Sequence, residues 1–193
     1  QAELASPRPI DAINSVWIEE LTWMEVRDAV RAGSKTVIIS TGGVEQNGPY
    51  AATGKHNIIL RGACEGIARA LGNALCAPVV PFVPEGNIDP PTGHMRYPGT
   101  ISVREETYRA LLDDIASSFK ATGFTEVILI GDSGGNQRGL EAVATALNAR
   151  WKGAAVARYV PEFYRYERMV AKRYLLPGKG EGFSFLVAGI SLG

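Results

Sequence analysis

The residues best suited to chemistry in this chain sit in three glycine- or proline-rich stretches. The first is Ser40-Thr41-Gly42-Gly43-Val44-Glu45-Gln46-Asn47-Gly48-Pro49-Tyr50, with His56 shortly after it. A carboxylate, two amides and an imidazole can hold a cation, orient a polar substrate or move a proton. The second stretch is Gly131-Asp132-Ser133-Gly134-Gly135-Asn136, and the third, 84–100, carries Glu85, Asn87, Asp89, His94 and Arg96. His56 and His94 are the 2 histidines of the chain, so any imidazole chemistry must use one of them. A plainer reading of the first stretch is a polar turn, with Asn57 capping the helix behind it.

Regular elements must place these residues. Thr36-Val37-Ile38-Ile39 is apolar and β-branched, which predicts a buried strand ended by the two glycines. Glu45, Gln46 and Asn47 then follow a strand's carboxyl end, where open α/β sheets bind ligands and where unpaired polar groups are costly. Upstream, residues 1–16 read as an extended lead-in, with Pro7 and Pro9 blocking helix, and Thr22-Trp23-Met24-Glu25 is a capping box for a helix to about Gly33. From Asn57, the residues Ile59, Leu60, Ala63, Ile67, Ala68 and Leu71 repeat at helical spacing up to Gly72.

Residues 76–83 predict a second buried strand, edge or bulged because of Pro78 and Pro81. Segment 84–100 is long for an idle connection, and its rings and prolines predict an ordered loop that covers the site. Ser102-Val103-Arg104-Glu105 reads as another capping box, with Tyr108, Leu111, Leu112, Ile115 and Phe119 as one core stripe behind it. A third strand at Val127-Ile128-Leu129-Ile130, a helix to about Trp151 and a fourth strand over 154–160 follow. Residues 162–176 read as helical with Arg and Tyr on one face, and Gly182 to Gly193 is apolar without a clear period. Alternating helix and strand predicts an α/β fold with a mostly parallel sheet.

At 193 residues, the chain predicts a single domain over 1–193. Lys and Arg number 20, as do Asp and Glu, so no net field draws it to nucleic acid or to an anionic membrane. No apolar run reaches the length of a membrane span. Cys64 and Cys76 read as buried thiols, since two cysteines make no disulfide framework. If Gln1 is a processed N-terminus the protein is periplasmic or secreted, and otherwise it is cytoplasmic.

Gly131-Asp132-Ser133-Gly134-Gly135 matches G-x-S-x-G between a strand and a helix, as in a serine-hydrolase nucleophile elbow. The elbow's triad runs Ser, acid, His, and no histidine follows Ser133 up to Gly193. The G-D-S-G-G of chymotrypsin-like proteases has the same letters but belongs to β-barrels. A histidine in a missing C-terminal segment would keep the serine-hydrolase reading open, and the other reading is a glycine-rich turn that presents backbone N–H groups at a helix N-terminus.

The pattern as a whole resembles the creatininase (creatinine amidohydrolase) family. Residues 42–50, Gly-Gly-Val-Glu-Gln-Asn-Gly-Pro-Tyr, are similar to its loop G-S-x-E-Q-H-G-P-H, and Gly54-Lys55-His56 falls where it has G-T-D. His94 with Tyr97-Pro98-Gly99-Thr100-Ile101-Ser102 resembles its H-x-x-(F/Y)-P-G-T-(I/V)-S, and 131–136 its N-G-H-G-G-N. The order is the family's, over residues 36–150. The resemblance implies a creatininase-like, three-layer α/β/α fold and a pair of divalent metals. Glu45 matches a metal-binding glutamate, Asn47 stands where a metal-binding histidine is expected and His56 where an aspartate is. Ser133 replaces a histidine, and the late acidic motif around H-A-G-E has no match before Gly193, so the C-terminal part reads as incomplete.

Zinc takes three N, S or O ligands and an open position for water. Glu45 and His56 are the strongest donors, with Asp132 as the third. Asn47 and Ser133 are neutral and suit substrate contacts, alongside Gln46, Tyr50, Arg96 and Asn136. His94 reads as a proton shuttle or substrate contact, acting with Asp132, or else as a loop histidine bonded to backbone. The resemblance implies a metal-dependent amidohydrolase that cleaves a non-peptide C–N bond in a small cyclic or linear amide, with zinc, manganese or iron as cofactor. The substitutions argue against creatinine itself. The alternative is a non-catalytic, ligand-binding relative with a degraded metal site. The family further implies a homo-oligomer.

Overall fold

The structure, a computed structural model, describes residues 2–161. Four strands, β1 (Thr36–Thr41), β2 (Ala74–Cys76), β3 (Glu126–Gly131) and β4 (Val156–Tyr159), form one sheet in the order β2-β1-β3-β4. All pairings are parallel, and the central pair runs from Thr36↔Glu126 to Thr41↔Gly131. Five helices join them: α1 (Ala2–Ala5), α2 (Trp23–Arg31), α3 (Lys55–Leu71), α4 (Glu105–Ala121) and α5 (Gly134–Trp151).

β1 is buried along its whole length because both of its faces are covered. Val37 and Ile39 face the larger cluster, with Tyr108, Leu112 and Ala116 of α4 and Leu140, Val143 and Leu147 of α5. Ile38 points the other way, toward Trp17 and toward Cys64 and Ala68 of α3. The three-layer α/β/α arrangement expected from the sequence is therefore present. From β1 the chain steps to β2 on one side, and from β3 to β4 on the other. The crevice beyond the carboxyl ends of β1 and β3 is thus the switch point at which such sheets bind ligands.

Several local expectations are met, and others are corrected. The Thr22 capping box forms with both of its hydrogen bonds. The lead-in is not wholly extended, because a short helix, Ala2–Ala5, fits ahead of Pro7. The second strand ends at Cys76, and beyond it Pro78 and Pro81 leave only isolated bridges, Val80 to Thr41 and Val83 to Ser102. Ser102 does not cap α4: its hydroxyl accepts from Glu85 N and donates to Gly86 O, while Arg104 takes the cap position. Cys64 and Cys76 are not thiols but a disulfide, because α3 docks on β2 with their Cα atoms 6.1 Å apart. The helix expected over 162–176 and the tail at 182–193 lie outside the described residues.

Candidate active site

Two strand ends and two loops converge at the switch point. Beyond β1 the chain is pinned from several directions. Gly42 N donates to Val80 O at 3.0 Å, Gly43 N to the Asn57 side chain at 3.1 Å, and Glu45 N to Thr53 O at 3.0 Å. The two glycines are steric necessities: a Cβ on Gly42 would strike Asn57, and one on Gly43 would strike the Glu85 carboxylate. Gly43 also holds φ +155°, which side chains disfavour. From α5, the buried Asn136 amide donates to Thr41 O at 2.9 Å and to Gly42 O at 2.8 Å. Behind it the Tyr108 hydroxyl donates to Thr41 at 3.0 Å. Glu45 therefore leaves a fixed backbone.

His56 lies in the first turn of α3 rather than ahead of the helix, and it stands between two carboxylates. Its Nε2 is 2.7 Å from Glu45 Oε1 and its Nδ1 is 2.8 Å from Asp132 Oδ2. All three side chains are more than nine-tenths buried. Burial alone would lower the His56 pKa, but the hydrogen bonds and charges of Asp132 and Glu45 outweigh it and lift it to about 9. Burial likewise pushes Glu45 upward, and the contacts with His56, Glu85 and His94 bring it down to about 2.

The other flank of Glu45 faces the long loop. Segment 84–100 folds on itself, with His94 N donating to Glu85 O at 3.1 Å and Asn87 N to Thr92 Oγ1 at 2.8 Å. This brings Glu85 and His94 to Glu45 together. His94 Nε2 lies 3.3 Å from Glu45 Oε2, and Gln46 Nε2 donates to His94 Nδ1 at 3.2 Å. The Glu85 carboxyl is buried against that of Glu45. Burial first, and then the hydrogen bond and charge of Glu45, raise its pKa to about 9, so a proton is held between the two at neutral pH. Among the described residues its Oε1 has no partner, nor does Asp132 Oδ1. Ligand atoms of Glu45, Glu85 and His94 all lie within 4.8 Å of one another.

The expected site residues thus fall into three groups. Glu45, His56 and Asp132 come together, but as a hydrogen-bonded row in which both imidazole nitrogens face a carboxylate. His94 joins Glu45 from the loop, held by Gln46. The rest stand elsewhere or serve the backbone. Asn47 commits its amide to Glu45 O and Ala52 O at 3.0 and 3.2 Å, Asn136 anchors β1, and Ser133 is the N-cap of α5, its side chain making no cap hydrogen bond. Tyr50 is fully exposed, and Arg96 is exposed on the loop. Glu85 is the residue that sequence reasoning passed over as a site member. The available signal was period two: Glu85 follows the buried Val83 on the same side of an extended segment.

A parallel α/β sheet with carboxylates and imidazoles gathered at its switch point has them where open α/β sheets bind ligands. The creatininase family profile, described as creatinine amidohydrolase, matches residues 19–183, and the chain belongs to that family. Among curated proteins it is similar to 3-dehydro-scyllo-inosose hydrolase of Thermotoga maritima, 26% identical over 119 residues that make up 62% of this chain and 36% of that protein. Among solved structures it is similar to a creatinine amidohydrolase (creatininase) at TM-score 0.66 and 20% identity, covering 87% of this chain and 66% of that one. A putative creatinine amidohydrolase from Bacteroides fragilis gives TM-score 0.67 at 18% identity, over 93% of this chain and 78% of that one. At these identities the structural likeness speaks for the fold. The chain spans roughly a third of the curated relative and about two thirds of the creatininase.

Proposed function

We propose that this protein is a metal-assisted amidohydrolase acting on a C–N bond of a small cyclic or linear amide. The observation that carries the reading is the convergence of Glu45, Glu85 and His94 at the switch point. Two carboxylates and an imidazole make a suitable donor set for one divalent ion with positions left for water. The buried Glu85 Oε1, without a partner among the described residues, is the kind of atom a cation satisfies, and the proton held between Glu45 and Glu85 is what it would displace. Solved creatininases titled as a Zn–Zn type and as a Mn form support zinc first and manganese second.

When bound, such an ion polarises an amide carbonyl and brings the pKa of a water toward neutrality. The chain's own residues do the rest. Gln46 orients His94, and His56 holds Glu45 ionised and fixed. Asp132 Oδ1 is the acceptor left open for a substrate N–H. Segment 84–100 brings Glu85, which is buried, and His94, which stays partly exposed, against Glu45.

The test is metal-supplemented purification followed by elemental analysis and an amine-release assay over small lactams, cyclic ureas and linear amides. The expected result is about one equivalent of metal and turnover of at least one amide, both lost in Glu85→Gln. Stoichiometric metal without turnover of any amide would favour the ligand-binding alternative, and no metal would overturn the proposal.

A further inference from the structure

We infer that the Cys64–Cys76 bond is acquired in an oxidising compartment, so that this protein works outside the cytoplasm, and that the bond braces α3 onto the sheet. The chain has 2 cysteines, and both are in this bond. They come from separate elements, Cys64 from the middle of α3 and Cys76 from the end of β2. Both are 0% exposed. Trp17 packs over them and is itself buried, while Cys76 N donates to Val16 O at 2.7 Å, which lays the lead-in along that edge. Disulfide exchange needs a thiolate to reach a sulfur and pass through a mixed disulfide. In the folded chain both sulfurs are covered, so exchange waits on local unfolding. The bond is therefore made during folding and kept afterwards, as a structural disulfide and not a surface redox switch. In making it, the two thiols give two electrons and two protons to a donor disulfide, that of a thiol–disulfide oxidoreductase, which leaves as a dithiol. Periplasm, secretory lumen and cell exterior sustain that reaction, whereas glutathione and thioredoxin keep cytosolic thiols reduced.

The packing of α3 shows what the bond holds. This helix buries one stripe, His56, Leu60, Cys64 and Ala68, in which Leu60 is the one large aliphatic side chain, with Ile67 at its margin. By contrast α5 buries Leu140, Val143, Leu147 and Trp151. The ion pairs of Arg61 with Glu19 and Glu20 also tie α3 to the lead-in, but they are exposed and contribute little. A covalent tie about two turns beyond His56 compensates for that thin apolar contact. The first turn of the same helix supplies His56 and Asn57, which hold Glu45 and the Gly43 backbone.

The compartment is tested by acid-quenching cells of the source organism, fractionating them and alkylating the denatured protein before mass analysis. We expect recovery in the periplasmic or extracellular fraction, no alkyl group before reduction and two after it. Free thiols in the cell, or oxidised protein in the cytoplasmic fraction, overturn the assignment. For the brace, Cys64→Ala combined with Cys76→Ala should lower Tm by roughly 10 °C. It should also speed amide exchange in α3 about tenfold more than in α5. The unaltered protein, reduced and refolded, gives the same comparison without substitution. An unchanged Tm, or equal acceleration in both helices, overturns the brace. None of these readouts involves metal or turnover, so they leave the amidohydrolase reading untouched.

Discussion

Glu45 has two flanks, and they solve the same electrostatic problem differently. On one side a protein cation, His56, is already hydrogen-bonded between Glu45 and Asp132. On the other side Glu85 presses a second carboxyl on Glu45, with His94 nearby at 3.3 Å and one Glu85 oxygen without a partner among the described residues. On the first flank both imidazole nitrogens face a carboxylate, and the atom left over is Asp132 Oδ1. The second holds a proton where a stronger cation fits. Buried charge in the first serves fixed geometry, whereas in the second it is potential for binding.

The sharpest way to break this contrast is to remove one member of each flank. Asp132→Ala leaves His56 half-paired in a buried site and should destabilise the protein by about 3 kcal/mol, read by denaturant titration. Glu85→Gln should leave the metal-free protein as stable or more so, since an amide donates to Glu45 without repelling it. It should, however, weaken zinc binding by roughly 100-fold or more, given that outer-shell partners alone are worth 10–100-fold. Equal destabilisation by both substitutions would erase the distinction between the flanks.

The pH dependence sharpens it further. His56 goes from an ordinary 6.5 to about 9, so its contribution is full below about pH 6.5 and is lost as pH rises through 9. Glu85 goes from 4.5 to about 9, so the folded chain again binds more protons than the unfolded chain in that window. Both slopes are negative, and metal-free Tm should fall steadily from pH 6.5 to 9. Glu45, held near 2, contributes stability above about pH 4.5 that is lost only as pH falls through 2, so it is silent in this range. A Tm that rises between pH 6.5 and 9 contradicts the arrangement.

Smaller effects separate orientation from ligation. Gln46→Ala removes the amide that holds the His94 ring and should cost about tenfold in zinc affinity with little change in Tm, measured by calorimetry. Ser133→Ala should change neither, and a fluorophosphonate probe should not label Ser133, because the one histidine facing Asp132 is locked between two carboxylates.

Much of the fold was legible because its signals are local. The runs at 36–39 and 127–130 are apolar on both faces, as central parallel strands must be, and Thr22 with Glu25 is a complete cap in itself. Glu45 and Asp132 were legible for the same reason, since each follows one of those strands directly. What was hidden depends on partners distant in sequence. Ser102 has the letters of a cap, but Glu85 N and Gly86 O compete for its hydroxyl across the loop. The disulfide depends on how α3 docks against β2, which a spacing of 12 does not reveal. His56 looked like a ligand by type, and only the approach of Asp132 from the neighbouring strand shows both nitrogens taken.

The most direct measurement of the central claim, a cation site on Glu45, Glu85 and His94, is zinc titration by calorimetry at pH 7 in buffers of differing ionisation enthalpy. The account predicts one zinc bound per chain with release of about one proton, the one held between Glu45 and Glu85, and loss of that release in Glu85→Gln. Zinc binding without proton release, or with release undiminished in Glu85→Gln, would contradict it.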